Sequence, residues 1–154
     1  DIKDTVMKDI ALMKLVGMHP VIVHGGGPDI NGFLKKMNIE SRFINGLRVT
    51  DDDTMEVVEM VLAGKLNKSI VTDICQNGVM AVGITGKDAN TVTAVKMEKD
   101  GVDYGNVGEI KSVDTSLIQS LIDGGFIPVI APIGKDEKGR SYNINADYMA
   151  VAVA

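Results

Sequence analysis

The sequence predicts an α/β fold, a mostly parallel sheet covered by helices on both faces. Two observations carry this expectation. Val21–Val23, Val79–Ile84 and Phe126–Ala131 are apolar throughout, broken only by Gly83 and Pro128, as strands buried on both sides are. Between them lie stretches whose apolar residues recur at helical spacing, and strands alternating with helices imply parallel neighbours. A third observation points to a site. The first strand runs through His24 into Gly25-Gly26-Gly27-Pro28, and Ile30, Phe33, Leu34 and Met37 then follow one helix face. A buried strand, a glycine turn and a helix start together make an anion site, because the backbone can approach a ligand and the first N–H groups of the helix point at it. Pro28 suits the first helical position, where no N–H is needed.

The remaining elements follow in order. Ile2, Val6, Ile10 and Met13 are spaced as one helix face; Gly17 ends that helix and Pro20 leads into the first strand. After the helix at 28–37, Phe43–Leu47 carries an Asn-Gly turn, a hairpin signal. Thr50-Asp51 caps a long helix with acidic residues at 51–53 in its first turn, predicted to run to about Gln76 and to stop at Asn77-Gly78. Met55, Val57, Val58, Met60, Val61, Leu62 and Leu66 cover more than one stripe of it. A second copy of the chain, giving a homodimer through helix 52–76 or a higher oligomer, is one way to bury the excess; coverage by the chain itself is the other. Further strands are expected at Thr91–Lys96 and Gly108–Val113. A helix through Leu117, Leu121 and Ile122 ends at Gly124-Gly125, a charged hairpin tip spans Gly134–Arg140, and a last helix starts near Asn145.

At 154 residues the chain is long enough for one domain with a full hydrophobic core. A net charge of −5 and only three Phe and three Tyr argue against a nucleic-acid surface. Lys35-Lys36 is the only basic pair and reads as a solvated helix face. No apolar run approaches the ~18 residues of a membrane span, and no signal-peptide pattern is present. The lone Cys75 excludes an internal disulfide, fits a reducing, cytoplasmic setting, and reads as a small core residue. The chain opens in a helical pattern and stops at Val151–Ala154 in mid-helix, as a piece of a longer protein does.

Four segments carry candidate chemistry. The glycine turn matches neither a dinucleotide fingerprint nor a Walker loop, and a tight strand–helix connection is its plainer reading. His24 beside it reads as a hydrogen-bonded structural residue, and His19 carries no signal. Arg48, held between a tight turn and a capped helix, suits bidentate carboxylate recognition; an ion pair with one of the aspartates at 51–53 is the alternative. Asn143 and Asn145 lie on one side of an extended segment and offer two amides to a polar ligand, while Asp147 falls in the first turn of the last helix. Capping alone also accounts for Asn145 and Asp147. Gly83–Asp88 reads as a strand-ending turn, with a ligand-facing loop as the alternative, and Lys87 and Asp88 are placed to pair with each other on the surface.

In chain order, Val21–Asn31, Asn45–Asp51, Gly83–Asp88, a Tyr104–Ile110 hairpin and Asn143–Asp147 resemble the amino-acid kinase family, and within it the members that act on N-acetyl-L-glutamate. The combination spans nearly the whole chain and is far more specific than any one segment. It implies a truncated three-layer αβα sandwich of the carbamate kinase-like kind. Residues 1–154 would form a single domain, the N-terminal substrate-binding lobe without the family's first strand and ATP-binding half. It implies ATP-dependent phosphorylation of the substrate's γ-carboxylate, a step of arginine biosynthesis, with ATP and Mg²⁺ bound mainly by the other half. By the same resemblance, Gly26 and Gly27 donate N–H groups to that carboxylate and to the phosphoryl group in transit. Arg48 and Asn143, with Asn145 beside them, grip the α-carboxylate and acetamido end, and Asp147 orients the catalytic lysines. No metal ligand is implied here. The family's Lys-Gly-Gly-type motif before the first helix, and both catalytic lysines, have no counterpart, so the chain alone is expected to bind substrate weakly and not to turn over. Another amino-acid kinase, or a non-catalytic carboxylate-binding or dimerisation module, remains the alternative.

Overall fold

The computed structural model describes residues 2–154. Its centre is a parallel three-stranded sheet in the order β1 (Ile22–Val23), β7 (Ile127–Ala131), β4 (Ala81–Thr85). Val129 of β7 stands opposite Ile22 on one side and Gly83 on the other. Every residue of β7 is buried, which is why its sequence does not alternate. Its side chains nevertheless divide between two layers. Ile127 and Val129 pack with helices α1 (Ile2–Leu15) and α4 (Asn67–Cys75). Ile130 packs with α5 (Ser116–Asp123) and α6 (Ala146–Val153) on the opposite face. The three-layer α/β expectation holds.

Beside the parallel sheet lies a second, four-stranded sheet in the order β6 (Gly108–Val113), β5 (Val92–Lys96), β8 (Ile133–Lys135), β9 (Ser141–Asn143). Its β5–β6 and β8–β9 pairs are antiparallel, and only Thr93↔Lys135 is parallel. The charged tip predicted at 134–140 is the turn of the β8–β9 hairpin, closed by Asp136 N–H donating to the Arg140 carbonyl at 3.0 Å. The expected Tyr104–Ile110 hairpin is instead part of the returning arm of the β5–β6 hairpin. A separate hairpin, β2 (Phe43–Ile44) with β3 (Leu47–Arg48), turns through Asn45 at φ 52° and Gly46 at φ 77°, the pair of left-handed residues that a tight hairpin turn needs.

The short strip Tyr104–Val107 stitches these parts together. Thr50 N–H donates to the Tyr104 carbonyl at 2.9 Å, Asn106 N–H to the Thr50 carbonyl at 2.6 Å, and Asn143 N–H to the Asn106 carbonyl at 2.8 Å. Gly105, at φ 72°, is pressed against the Thr50 backbone, where a Cβ would collide. Segments far apart in sequence, after β3 and at the end of β9, are thereby set side by side.

The long helix is continuous from Asp52 through α3 (Asp52–Glu59), a π-helical stretch at Met60–Leu66 and α4. Asp51 caps it, its carboxylate accepting from Thr54 N–H at 2.8 Å. Met55, Val57, Val58, Val61 and Leu62 are buried, packed with Ile30 and Leu34 of α2 (Gly27–Lys36) and with Ile133. Most of the apolar excess is therefore absorbed within the chain. Met60, 58% exposed, is the largest remainder, so the surface that argued for a second copy here is much reduced.

Three further expectations are corrected. The buried face of α1 is Met7, Ile10 and Ala11, while Ile2, Val6 and Met13 are exposed; packing against α4 selects the neighbouring stripe. Cys75 is exposed rather than in the core. Lys87 pairs with Glu59 at 2.7 Å and donates to Ser141 at 2.8 Å. Asp88 meanwhile turns back to accept from Thr85 N–H.

Candidate functional site

The first wall of the site is the turn after β1. His24 N–H donates to the Ile130 carbonyl at 3.2 Å, continuing the parallel ladder, and the chain then leaves the sheet through Gly25-Gly26-Gly27 into α2. Gly26 occupies the capping position and no side chain caps the helix, so its first N–H groups are left for a ligand. A Cβ on Gly26 would stand 2.5 Å from a Leu66 methyl and 2.8 Å from a Leu62 methyl, whereas one on Gly27 would meet nothing within 4 Å. A side chain at 26 would thus force the ends of Leu62 and Leu66 to shift, and the glycine at 27 leaves space in front of the helix.

The second wall is the β2–β3 hairpin. Arg48 is 6% exposed. Its guanidinium donates to Ser41 Oγ at 2.7 Å and to the Gly27 carbonyl at 3.4 Å, and it stacks on Phe43, 4.6 Å from the ring centroid. Burial lowers its pKa, yet a guanidinium remains charged at neutral pH. It has no carboxylate partner among the described residues. Asp51 caps its helix instead, and Asp52 pairs with Arg140 at 3.0 Å. The ion-pair alternative for Arg48 is therefore not what forms.

The third wall is the segment from Asn143 to Ala146. Asn145 caps α6 by accepting from Tyr148 N–H at 3.1 Å. The side-chain amide of Asn143 makes no hydrogen bond among the described residues, while its backbone is tied to Asn106.

These walls enclose a cavity of about 180 Å³ lined by Gly25, Gly26, Gly27, Arg48, Asn143 and Asn145, with Ile30, Phe43, Leu62 and Ile144 among its apolar residues. Five predicted substrate-binding residues (Gly26, Gly27, Arg48, Asn143 and Asn145) thus meet in one cleft. Asp147, the predicted catalytic residue, does not line it and is exposed on the first turn of α6. Among the described residues, Arg48 is the only charged one in the lining. One buried cation, amide donors and apolar sides select a small organic anion. No carboxylate or lysine lines the cavity, and no cluster of three or more possible metal ligands occurs among the described residues. This donor set does not fit Mg²⁺ or a nucleotide triphosphate.

Sequence reasoning missed Phe43, Leu62 and Asn67. Phe43 was within reach, because the Asn-Gly turn puts it directly opposite Arg48. Asn67 gives no local signal. It is a fully buried helical amide that donates to His24 Nε2 and to the Val129 carbonyl, both at 3.1 Å. His24 is the structural residue expected of it, its Nδ1 lying 3.1 Å from the Gly25 carbonyl.

Residues 2–154 match the amino acid kinase family. The chain is 55% identical over 154 residues to the acetylglutamate kinase of Caldanaerobacter subterraneus subsp. tengcongensis, covering all of this chain and 51% of that protein. It is 52% identical over 164 residues to that of Stutzerimonas stutzeri, covering 55% of that protein. The chain spans about half the length of the curated relatives it matches. Among solved structures, smu.665 from Streptococcus mutans superposes with a TM-score of 0.89 at 34% identity, over 96% of this chain and 60% of that one. N-acetylglutamate synthase from Neisseria gonorrhoeae, complexed with coenzyme A and N-acetyl-glutamate, superposes at 0.79 with 24% identity, over 98% of this chain and 35% of that one. The second likeness shows the fold.

Proposed function

The chain belongs to the amino acid kinase family, and from that premise we propose that it supplies the substrate-binding part of an enzyme that phosphorylates the γ-carboxylate of N-acetyl-L-glutamate with ATP, in arginine biosynthesis. The observation that supports this reading best is the convergence of Arg48, Asn143, Asn145 and the glycine turn on one cavity. The names of the relatives point to the same substrate.

The chemistry suits the residues present. A γ-carboxylate is already ionised at neutral pH, with an ordinary pKa of ~4.3, so no general base is required. One of its oxygens attacks the terminal phosphorus, the bond from that phosphorus to the bridging oxygen breaks, and ADP leaves with the electron pair. The difficulty is bringing two anions together, and catalysis of such a step rests on positioning and electrostatics. Arg48 and Asn143 would hold the far end of the substrate, with Asn145 beside them. The N–H groups of Gly26 and Gly27 would meet the reacting carboxylate and the phosphoryl group. Asp147, outside the cavity, would orient lysines supplied by the rest of the protein, which would also hold the nucleotide and Mg²⁺.

Calorimetry on this chain tests the reading. N-acetyl-L-glutamate is expected to bind weakly but measurably, and L-glutamate, L-aspartate and UMP not to bind. No ADP is expected from the chain alone. Equal binding of all four compounds, or of none, overturns the assignment.

A further inference from the structure

The orientation of Asn67 is determined by its neighbours. Val129 offers a carbonyl, which only accepts, and Lys68 an ammonium, which only donates. The amide nitrogen therefore faces Val129 and the amide oxygen faces Lys68 Nζ, 2.9 Å away. The same nitrogen lies 3.1 Å from His24 Nε2, so Nε2 is the acceptor and the ring hydrogen sits on Nδ1. There the hydrogen-bond partner among the described residues is again a carbonyl, that of Gly25 at 3.1 Å. Both contacts demand one neutral tautomer.

The Gly25 carbonyl shares a peptide plane with the Gly26 N–H, and in a trans peptide the two point in opposite directions. We propose that His24 and Asn67 are positioning residues for the anion site: the imidazole pins the Gly25 carbonyl, and so turns the Gly26 N–H toward the cavity.

The π-helical stretch makes this possible. At about 100° per residue, positions five apart on an α-helix point about 140° away from each other. Here Asn67 N–H is shared between the Gly64 and Leu62 carbonyls, and the bond to Leu62 is an i→i+5 bond that brings the two residues round toward one side. One helix thus presses Leu62 on Gly26 and sets Asn67 against His24.

The proposal deepens the reading of the cavity as a carboxylate site, and its test separates the two. In ¹⁵N-labelled chain at neutral pH, two-bond correlations of the His24 ring are expected to show hydrogen on Nδ1 and a bare Nε2; hydrogen on Nε2 overturns the proposal. Asn67→Asp replaces the donor by an acceptor, and is expected to move the hydrogen to Nε2 and to shift the Gly26 amide resonance. An unmoved Gly26 resonance overturns it. His24→Asn keeps a donor near Nδ1, and is expected to bind N-acetyl-L-glutamate within about threefold of the parent. His24→Gln, with its amide nearer the Nε2 position, is expected to weaken binding by about tenfold or more, the loss of one hydrogen bond to a charged group. Equal effects of the two substitutions overturn the proposal. If the unaltered chain binds no N-acetyl-L-glutamate, the functional reading fails, while the ring tautomer and the Gly26 resonance still decide the role of His24.

Discussion

Phe43 and Arg48 face each other across the β2–β3 hairpin, and the ring of one carries the guanidinium of the other at 4.6 Å. The hairpin does more than display a cation. Its register places an aromatic plate under Arg48, Ser41 accepts from one nitrogen at 2.7 Å, and the side chain is held against the cavity without a carboxylate to neutralise it.

Arg48→Ala is accordingly expected to weaken binding of N-acetyl-L-glutamate by ~1.5–3 kcal/mol, the usual cost of losing a charge-assisted hydrogen bond. In a complete enzyme the loss is expected mainly in KM. Arg48→Lys is expected to recover little of it, because an ammonium provides neither the planar stack nor the fork of donors. Calorimetry checks the first statement, and unchanged affinity removes Arg48 from the site.

Gly26→Ala and Gly27→Ala are expected to part company. At 26 the new methyl group meets Leu62 and Leu66, so a loss of stability of ~1–3 kcal/mol is expected, as for other overpacked sites. At 27 it meets open space inside the cavity, so the chain should melt at or above the parent's temperature while binding its ligand less well. Thermal unfolding with and without N-acetyl-L-glutamate separates the two effects.

The two asparagines of the third wall divide in a similar way. Asn145 caps α6, and its replacement by Ala is expected to cost ~0.5–2 kcal/mol of stability as well as affinity. The side chain of Asn143 has no hydrogen bond among the described residues to lose, so Asn143→Ala is expected to reduce affinity at nearly constant stability. Urea unfolding paired with calorimetry checks both.

Stability should also depend on pH through His24. Burial lowers its pKa below the ordinary value, the bond to the Gly25 carbonyl opposes that shift, and the charge of Lys68 adds to it. Between the ordinary ~6.5 and the depressed native value, the unfolded chain binds more protons than the native one. The contribution is thus complete above ~6.5 and is lost as the pH falls toward the native value, by at most ~1.4 kcal/mol per pH unit for one group. Urea unfolding of the parent and of His24→Asn across this window checks the sign: the parent should lose more stability on acidification.

Much of this was legible because it is local. The glycine turn, the Asp51 and Asn145 caps, the Asn-Gly hairpin and the apolar run of β7 each rest on residues within a few positions of one another. Hydrogen-bond partners three residues away and side-chain periodicity are written directly in the order of the chain. The exposed face of α1, the exposure of Cys75 and the pairing of Lys87 with Glu59 were not legible, since each depends on what lies against that element in space.

By itself, then, the sequence determined the elements, their caps and the residue types suited to gripping a small anion. The tertiary structure alone decided which of them share a cavity. It brought Arg48 and Asn143 together through the Tyr104–Val107 strip, left Asp147 outside, and wound one stretch of helix wide enough to set Asn67 on His24. The physical reason is that these contacts join segments 37 to 95 positions apart. Their geometry follows from how sheets and helices pack as wholes, which no short stretch of residues specifies.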